Sequence, residues 1–180
     1  MDGGQEVSAL QGAAVSAAKF NEIYSAYGDD VLRLSYFYLA DRQKAEDVTQ
    51  DVFVRYLTRG GEIQPGKEKA WLMVTAVNRC RDLWRSAWVK RVVHGDEVLL
   101  SIPAEADDSL ENREEKEAVL RAVHKLPPDF REVVLLFYYQ NLTIEQIADS
   151  MGISKGTAAS RLARGRDKVK KLLKEEGYDG

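Results

Sequence analysis

The sequence is poor in the residues that cross-link small proteins or bind metals. Its 180 residues include one cysteine, Cys80, and two histidines, His94 and His124. A lone cysteine excludes an intramolecular disulfide and a cysteine-based zinc site, and two histidines do not complete a metal centre by themselves. No nucleophile–base motif or phosphate-binding glycine loop is present either. We therefore expect no metal, no cofactor and no catalysis. We expect Cys80 to be a small buried apolar residue, with a redox role as the alternative.

Long apolar runs are missing as well. No stretch approaches the roughly 18 consecutive apolar residues that a membrane-spanning helix needs. The first residues also lack the basic start of a secretory signal. A hydrophobic content of 44% with 31% charged residues is ordinary for a globular protein, and the net charge is −3. These totals predict a cytoplasmic protein without membrane insertion, built as one domain or two small ones.

The basic residues are concentrated near the C-terminus, in a pattern that predicts a helix-turn-helix. Thr143 and Gln146 form a capping-box pair at the start of one helix, Gly152 supplies a left-handed residue at its end, and Ser154 caps the next helix. From Ser154 to Lys174 there are eight basic residues and one acidic residue. A helix of this charge suits a DNA major groove flanked by phosphates. An amphipathic hairpin whose charges are only solvated is the alternative.

The first half of the chain predicts two helical segments before a glycine-rich loop. Apolar residues from Phe20 to Tyr38 recur at helical spacing, and we expect Gly28 and Asp29 to divide them into two pieces. Asp41 is placed to cap the following helix, whose apolar stripe is Ala45, Val48, Val52 and Tyr56, with Phe53 and Leu57 beside it. The opposite face is polar and acidic and suits a basic partner. Metal or acid–base chemistry by its carboxylates is the alternative.

A long helix with a basic end follows the loop from Arg59 to Lys67. From Arg79 to Val92 there are five basic residues and one acidic residue, interleaved with Trp84 and Trp88. Such a mixture suits single-stranded nucleic acid, which is bound through its backbone charge and its stacked bases. Core tryptophans with snorkelling arginines are the alternative.

The charge then changes sign, which predicts a boundary between two domains. Residues 94–108 contain five acidic residues and no lysine or arginine, and they read as a flexible linker. Ser109 is expected to cap the next helix, which Pro127 and Pro128 interrupt; Pro128 suits the first turn of the helix after it. The apolar run from Val133 to Tyr138 is expected to be the centre of the C-terminal domain.

Several motifs in a fixed order resemble the conserved regions of bacterial sigma factors. The segments DRQKAEDVTQDVFVRYL (41–57), AWL (70–72) and NRCRD (78–82) are similar to region 2. The segments LPPDFREVVLLF (126–137) and ISKGTAASRLARGR (153–166) are similar to region 4. The resemblance covers roughly residues 17 to 174. The two-domain size is similar to the extracytoplasmic-function (ECF) group of the sigma-70 family.

The resemblance implies an all-α fold and a subunit of RNA polymerase that selects promoters and catalyses nothing itself. Two small helical domains, at 17–93 and 109–176, would be joined by the acidic linker at 94–108. The implied partners are the polymerase core, through the clamp of its largest subunit and through its flap, together with promoter DNA and an anti-sigma factor.

The resemblance also assigns roles to individual residues. The residues implied to bind the polymerase core are Glu46, Asp47, Gln50 and Asp51. Those implied to read and melt the −10 element, with the loop Arg59 to Lys67, are Asn78, Arg79, Asp82 and Arg85. Those implied to bind the −35 element in the major groove are Lys155, Thr157, Ala158, Ser160, Arg161 and Arg164.

One departure and two alternatives accompany this assignment. Ala158-Ala159 replaces the family's usual Val-Lys, which removes a cation and leaves base readout to Arg161 and Arg164. A stand-alone helix-turn-helix regulator that binds a palindrome as a dimer is the first alternative. An enzyme acting on nucleic acid through Glu46 and Asp47 is the second, and it would require a metal.

Overall fold

The computed structural model describes residues 14–92 and 110–178. Within these ranges the regular structure is entirely helical, which confirms the all-α prediction. The helices are α1 Ala17–Leu39, α2 Arg42–Arg59, α3 Glu68–Val92, α4 Leu110–His124, α5 Pro128–Val134, α6 Ile144–Met151 and α7 Lys155–Glu175. A 3-10 turn, Gly60–Glu62, follows α2, and a π-helical turn, Leu135–Tyr139, follows α5.

Two compact units are present, Met1–Asp82 and Leu83–Gly180. The first therefore ends inside α3, ahead of the predicted boundary at residue 93. The predicted linker at 94–108 and the predicted cap Ser109 lie outside the described residues, so the predicted domain bounds stay a prediction. None of the described helices is both long and apolar enough to span a membrane.

The helix α1 is continuous through Gly28, so the predicted division at Gly28 and Asp29 is wrong. An interior glycine costs about 1 kcal/mol relative to alanine. Burial of the apolar face that includes Ile23, Val31 and Leu34 outweighs that cost. The helix ends instead at Ala40, which adopts a left-handed conformation with φ 53°.

The core of the first unit is formed by α1, α2 and the first part of α3. The helix α2 has the predicted bounds, and the predicted stripe Ala45, Val48, Val52 and Tyr56 is buried together with Phe53. Leu57, in contrast, is 41% exposed. Cys80 on α3 is fully buried, as predicted for a small apolar residue. The core therefore leaves the opposite face of α2 open to solvent.

The second unit is centred on α5 and the π-helical turn. Pro128 occupies the first turn of α5, as predicted, and Val133 and Leu136 are fully buried. Tyr138 is 54% exposed, however, because the chain changes to π-helical winding at Leu135 and this side chain turns outward. The prediction of a wholly internal run to Tyr138 is therefore wrong at its end.

Candidate nucleic-acid and partner interfaces

The C-terminal helix pair is a helix-turn-helix with the predicted caps. The Thr143 hydroxyl accepts a hydrogen bond from the Gln146 amide at 3.2 Å, and the Gln146 side chain accepts one from the Thr143 amide at 2.9 Å. Gly152 ends α6 with φ 66°, and the Ser154 hydroxyl accepts from the Thr157 amide at 3.0 Å. These local bonds fix the N-terminus of α7, which is the end a recognition helix presents to DNA.

The predicted −35 residues divide by exposure. Lys155, Ser160 and Arg164 are exposed, whereas Thr157 and Arg161 are half-buried. Ala158 is fully buried in the second unit, so its methyl group packs in the core instead of facing a DNA groove. The predicted DNA contact by Ala158 is corrected accordingly. The burial follows from the helical period, which puts Ala158 and the buried Leu162 on one face.

Two cations of the predicted −35 set form ion pairs with acidic residues. An Arg161 guanidinium nitrogen lies 3.4 Å from a carboxylate oxygen of Asp129, and the Lys155 ammonium lies 3.4 Å from a carboxylate oxygen of Glu145. The pKa of Glu145 is below its usual value, because its own backbone amide donates to the carboxylate and Lys155 adds a second hydrogen bond. Arg161 is therefore ion-paired to Asp129, whereas Arg164 is exposed to solvent.

The four predicted core-binding residues on the acidic face of α2 differ in exposure. Glu46, Asp47 and Gln50 are exposed. Asp51 is half-buried, and one of its carboxylate oxygens lies 3.2 Å from Arg55 and 3.1 Å from Arg79. Glu46, Asp47 and Gln50 are thus presented outward, while Asp51 is paired within the unit.

Sequence reasoning missed two apolar residues that continue this exposed face. Val54 is 60% exposed and Leu57 is 41% exposed. With Asp47 and Gln50 they follow the spacing i, i+3, i+7 and i+10, which places all four on one side of a helix. The same spacing was available in the sequence and could have found them. The result is one stripe, polar at its start and apolar at its end, which we call the α2 stripe (Asp47, Gln50, Val54 and Leu57).

A groove with basic and aromatic walls lies between α2 and α3. It has a volume of about 480 Å³ and is lined by Arg55, Thr58, Arg59, Trp71, Thr75 and Asn78. Each helix contributes residues three or four positions apart, so each turns one face toward the groove. Trp71 is half-buried on the groove wall.

The other predicted −10 residues extend this surface along α3. Asp82 is exposed beyond the groove, and Arg79 is half-buried beside Asn78; Arg85 is exposed and belongs to the second unit. Guanidinium groups, an indole and an amide together can bind phosphates, stack on a base and hydrogen-bond its edge. The side chain of Trp88 lies outside the described residues. The predicted −10 residues are therefore brought onto one helix beside a groove.

A cationic helix-turn-helix and a second basic surface with an aromatic-lined groove define a DNA-binding helix-turn-helix protein. Two family models match the chain: sigma-70 region 2 over residues 23–89, and sigma-70 region 4 over residues 116–169. Each model falls within one of the two predicted helical domains.

Relatives with established names agree with these family models. The ECF RNA polymerase sigma factor SigM of Bacillus subtilis is 31% identical, over 84% of this chain and 93% of SigM. The ECF sigma factor SigE of Mycolicibacterium smegmatis is 28% identical, over 94% of this chain and 67% of SigE. Against two further relatives, the chain spans 42% and 63% of their length. The chain belongs to the ECF RNA polymerase sigma factors of the sigma-70 family.

The fold is also similar to that of a solved sigma factor. The solved sigma factor RpoE of Bartonella quintana, in complex with the anti-sigma factor NepR, superposes with a TM-score of 0.69 at 22% identity. The match covers 87% of this chain and 97% of that structure. At this identity, the likeness shows a shared fold.

Proposed function

We propose that this chain binds the RNA polymerase core in the cytoplasm and directs it to promoters by recognising −10 and −35 elements. The observation that carries the proposal is the pairing, in one chain, of a capped cationic helix-turn-helix with an aromatic-lined basic groove. The first suits duplex DNA and the second suits bases that have left the stack. The chain acts by binding and carries out no catalysis of its own.

The −35 element is bound by the exposed face of α7. Arg164 is the leading candidate for a base contact because it is exposed and lies one turn beyond exposed Ser160 on the same face. Arg161 joins it when DNA phosphate or base replaces Asp129 as its partner. Lys168, Lys170 and Lys171 lie further along the helix and contact phosphates, which position the helix without reading sequence.

The −10 element is bound by the groove between α2 and α3. The chain has no ATPase motif with which to melt DNA by force, so it must capture bases as they leave the stack. The Trp71 ring offers a stacking surface, Asn78 offers a donor and an acceptor, and Arg55 with Arg59 neutralises backbone charge. Asp82 and Arg85 lie beyond it on α3 and contact the flanking nucleotides.

The polymerase core is bound by the α2 stripe together with Glu46. Protein interfaces place an apolar anchor beside a polar rim, and the stripe has both parts. Val54 and Leu57 supply the apolar anchor, whereas Asp47 and Gln50 supply the polar part. The resemblance points to the clamp of the largest subunit as the partner, with the second unit meeting the flap.

An anti-sigma factor is the regulator that we propose for this chain. The related RpoE of Bartonella quintana was solved in complex with the anti-sigma factor NepR. The support for the same kind of partner here is the shared fold and family membership.

Run-off transcription tests the proposal. Core polymerase is incubated with fragmented genomic DNA, with and without this chain, and the transcripts are sequenced. We expect new transcripts only with the chain, whose start sites share two elements at fixed spacing. A stand-alone regulator would instead bind palindromic DNA tightly without polymerase and leave the transcript pattern of core polymerase unchanged.

A further inference from the structure

We infer that Val15 is a positioning residue for recognition of the −10 element, because it holds the start of the loop Arg59 to Lys67 in place. This role rests on the proposed function, with the loop as part of the −10 surface that the family resemblance implies. Val15 precedes α1 and lies ahead of residues 23–89, which match sigma-70 region 2. The observation is a double contact, through backbone and side chain, between Val15 and the point where α2 becomes the loop.

The backbone contact is made to the last turn of α2. The Val15 amide donates a hydrogen bond to the Leu57 carbonyl oxygen at 3.0 Å. Carbonyl groups in the last turn of a helix lack the partner that an ideal helix would give them. Gly60, which caps α2, donates to the Tyr56 carbonyl, and Val15 supplies a donor for the next carbonyl along. The segment before α1 therefore fixes the backbone of this last turn.

The side-chain contact is made to the first residue of the 3-10 turn. Gly60 is buried, and a Cβ atom there would overlap the Cγ2 methyl group of half-buried Val15 and lie 2.8 Å from a ring carbon of Tyr56. The φ of Gly60 is −62°, an ordinary helical value, so this position needs glycine for space and not for backbone freedom. The Val15 methyl group therefore packs directly on the backbone from which the loop departs.

Two groove residues lie between these two contacts. Thr58 and Arg59 line the −10 groove. Val15 bonds to Leu57, which precedes the pair, and packs on Gly60, which follows it. Val15 thus holds both ends of a short piece of the groove wall, while its own side chain does not line the groove.

The loop beyond Gly60 is stiffened by its own turns. The Ile63 amide donates to the Gly60 carbonyl at 3.1 Å, and the Lys67 amide donates to the Gln64 carbonyl at 3.0 Å. A loop with such internal bonds shifts as a unit when its starting point shifts. Recognition sites depend on supporting residues to hold their contact groups in place. The packing of Val15 on Gly60 therefore sets where the loop meets the −10 bases.

The experiment measures base preference in holoenzyme reconstituted from core polymerase and the full chain. The templates are a promoter found by run-off transcription and its single-base variants through the −10 and −35 elements. Val15→Ala removes the packed methyl groups and keeps the amide. Val31→Ala is the matched control, the same change at a fully buried position of α1, roughly 20 Å from the start of that helix. Open-complex formation is measured at saturating sigma factor, and circular dichroism reports helical content.

The expected results separate positioning from stability. Val15→Ala lowers the discrimination between −10 bases about three- to tenfold, the order of a coupling between residues in contact, and leaves −35 preference unchanged. Val15→Ile keeps both branches at Cβ and restores the wild-type −10 preference. Gly60→Ala, which pushes on the same methyl group, alters preference at the same −10 positions as Val15→Ala. Val31→Ala lowers the melting temperature more than Val15→Ala, because Val31 is fully buried, and leaves −10 preference unchanged.

Three results would overturn this role of Val15. Val15→Ala could keep the wild-type −10 preference, it could change −35 preference by the same factor, or Val31→Ala could change −10 preference as much as Val15→Ala does. If Val15→Ala loses helical content, Val15→Thr, which keeps the shape and weakens only the apolar contact, decides by the same criteria. If the wild-type chain starts no transcript, the proposed function fails and this role fails with it; if it does and Val15→Ala behaves as wild type, the positioning role alone fails.

Discussion

The start of α2 depends on the carboxylate of Asp41, which both caps the helix and forms an ion pair. Asp41 accepts a hydrogen bond from the Lys44 amide at 3.0 Å and lies 2.8 Å from the Lys44 ammonium. The Lys44 side chain is the larger cause, and its amide the second, of a pKa for Asp41 below the usual value. A lowered pKa means that the folded state favours the charged form of this residue.

Asp41→Ala should lower the free energy of unfolding by about 1 kcal/mol at pH 7, the usual effect of losing an N-cap. Asp41→Asn keeps an accepting oxygen and should lose less. Because the folded pKa is lowered, the charge contribution is present above the unfolded pKa of about 3.9 and disappears as pH falls through the folded pKa. Urea unfolding at pH 7 and near pH 3 measures this. A wild-type advantage over Asp41→Asn that grows toward acid pH would contradict the assignment.

Helix packing in the second unit depends on a close crossing that an alanine cannot fit. A Cβ atom at Gly165 on α7 would lie 2.7 Å from a methyl carbon of Val134 and 3.4 Å from the Phe130 carbonyl oxygen. Gly165 is buried there, so its missing side chain lets α7 approach α5. The crossing holds α7 on the centre of its unit.

Gly165→Ala should destabilise the second unit by about 1–3 kcal/mol through overpacking, although alanine favours the helical state by about 1 kcal/mol. Gly156→Ala is the control on the same helix, because its nearest neighbouring atom is 3.9 Å away, and it should be neutral or stabilising. Thermal unfolding of both variants gives the comparison. Equal shifts in the melting temperature would show that the close crossing is unimportant.

We expect residues at different positions along α7 to make different kinds of DNA contact, some to bases and some to phosphates. Arg164→Ala should cost about 1–3 kcal/mol in promoter binding and relax specificity at one −35 position. Replacing Lys168 and Lys170 with Gln should weaken binding evenly across −35 sequences and flatten its salt dependence, since each neutralised phosphate contact contributes to the salt slope. A matrix of variants against −35 substitutions at several salt concentrations measures both. Sequence-blind losses for Arg164→Ala would contradict a base contact.

On the scale of the whole molecule, the acidic face of α2 and the basic helix α7 are separate charged surfaces, although the net charge is only −3. Asp47→Lys reverses one exposed charge on the α2 stripe and should weaken core binding at least tenfold, because rim charges govern encounter and register. Folding should be unaffected, since Asp47 has no buried contact to lose. Fluorescence titration with core polymerase, together with circular dichroism, provides the test. Core affinity within twofold of wild type would remove Asp47 from the interface.

Local chemistry made much of this chain predictable from its sequence. Asp41, Thr143, Gly152, Ser154 and Pro128 mark helix ends through bonds to residues a few positions away, and the structure has each of them in its predicted place. Such signals depend little on the rest of the fold.

What could not be predicted depends on tertiary packing. Gly28 stays helical because burial of the apolar face of α1 outweighs the low helix propensity of glycine. The partner of Asp51 lies on α3, 28 positions away in the sequence, where no periodicity points to it. The candidate −35 and core-binding faces were therefore found from spacing, whereas the wall of the −10 groove required the structure.

Footprinting of a promoter with DNase I and with permanganate tests the central claim most directly, because DNase I reports DNA contact and permanganate reports strand opening. The probes are core polymerase alone, this chain alone and the two combined, on a promoter identified by run-off transcription. We predict protection across the −35 and −10 elements, with reactive unpaired thymines at −10, only for the combination. Protection of the same site by the chain alone without reactive thymines, or no difference between the combination and core polymerase, would contradict a sigma factor that positions and opens DNA through its polymerase.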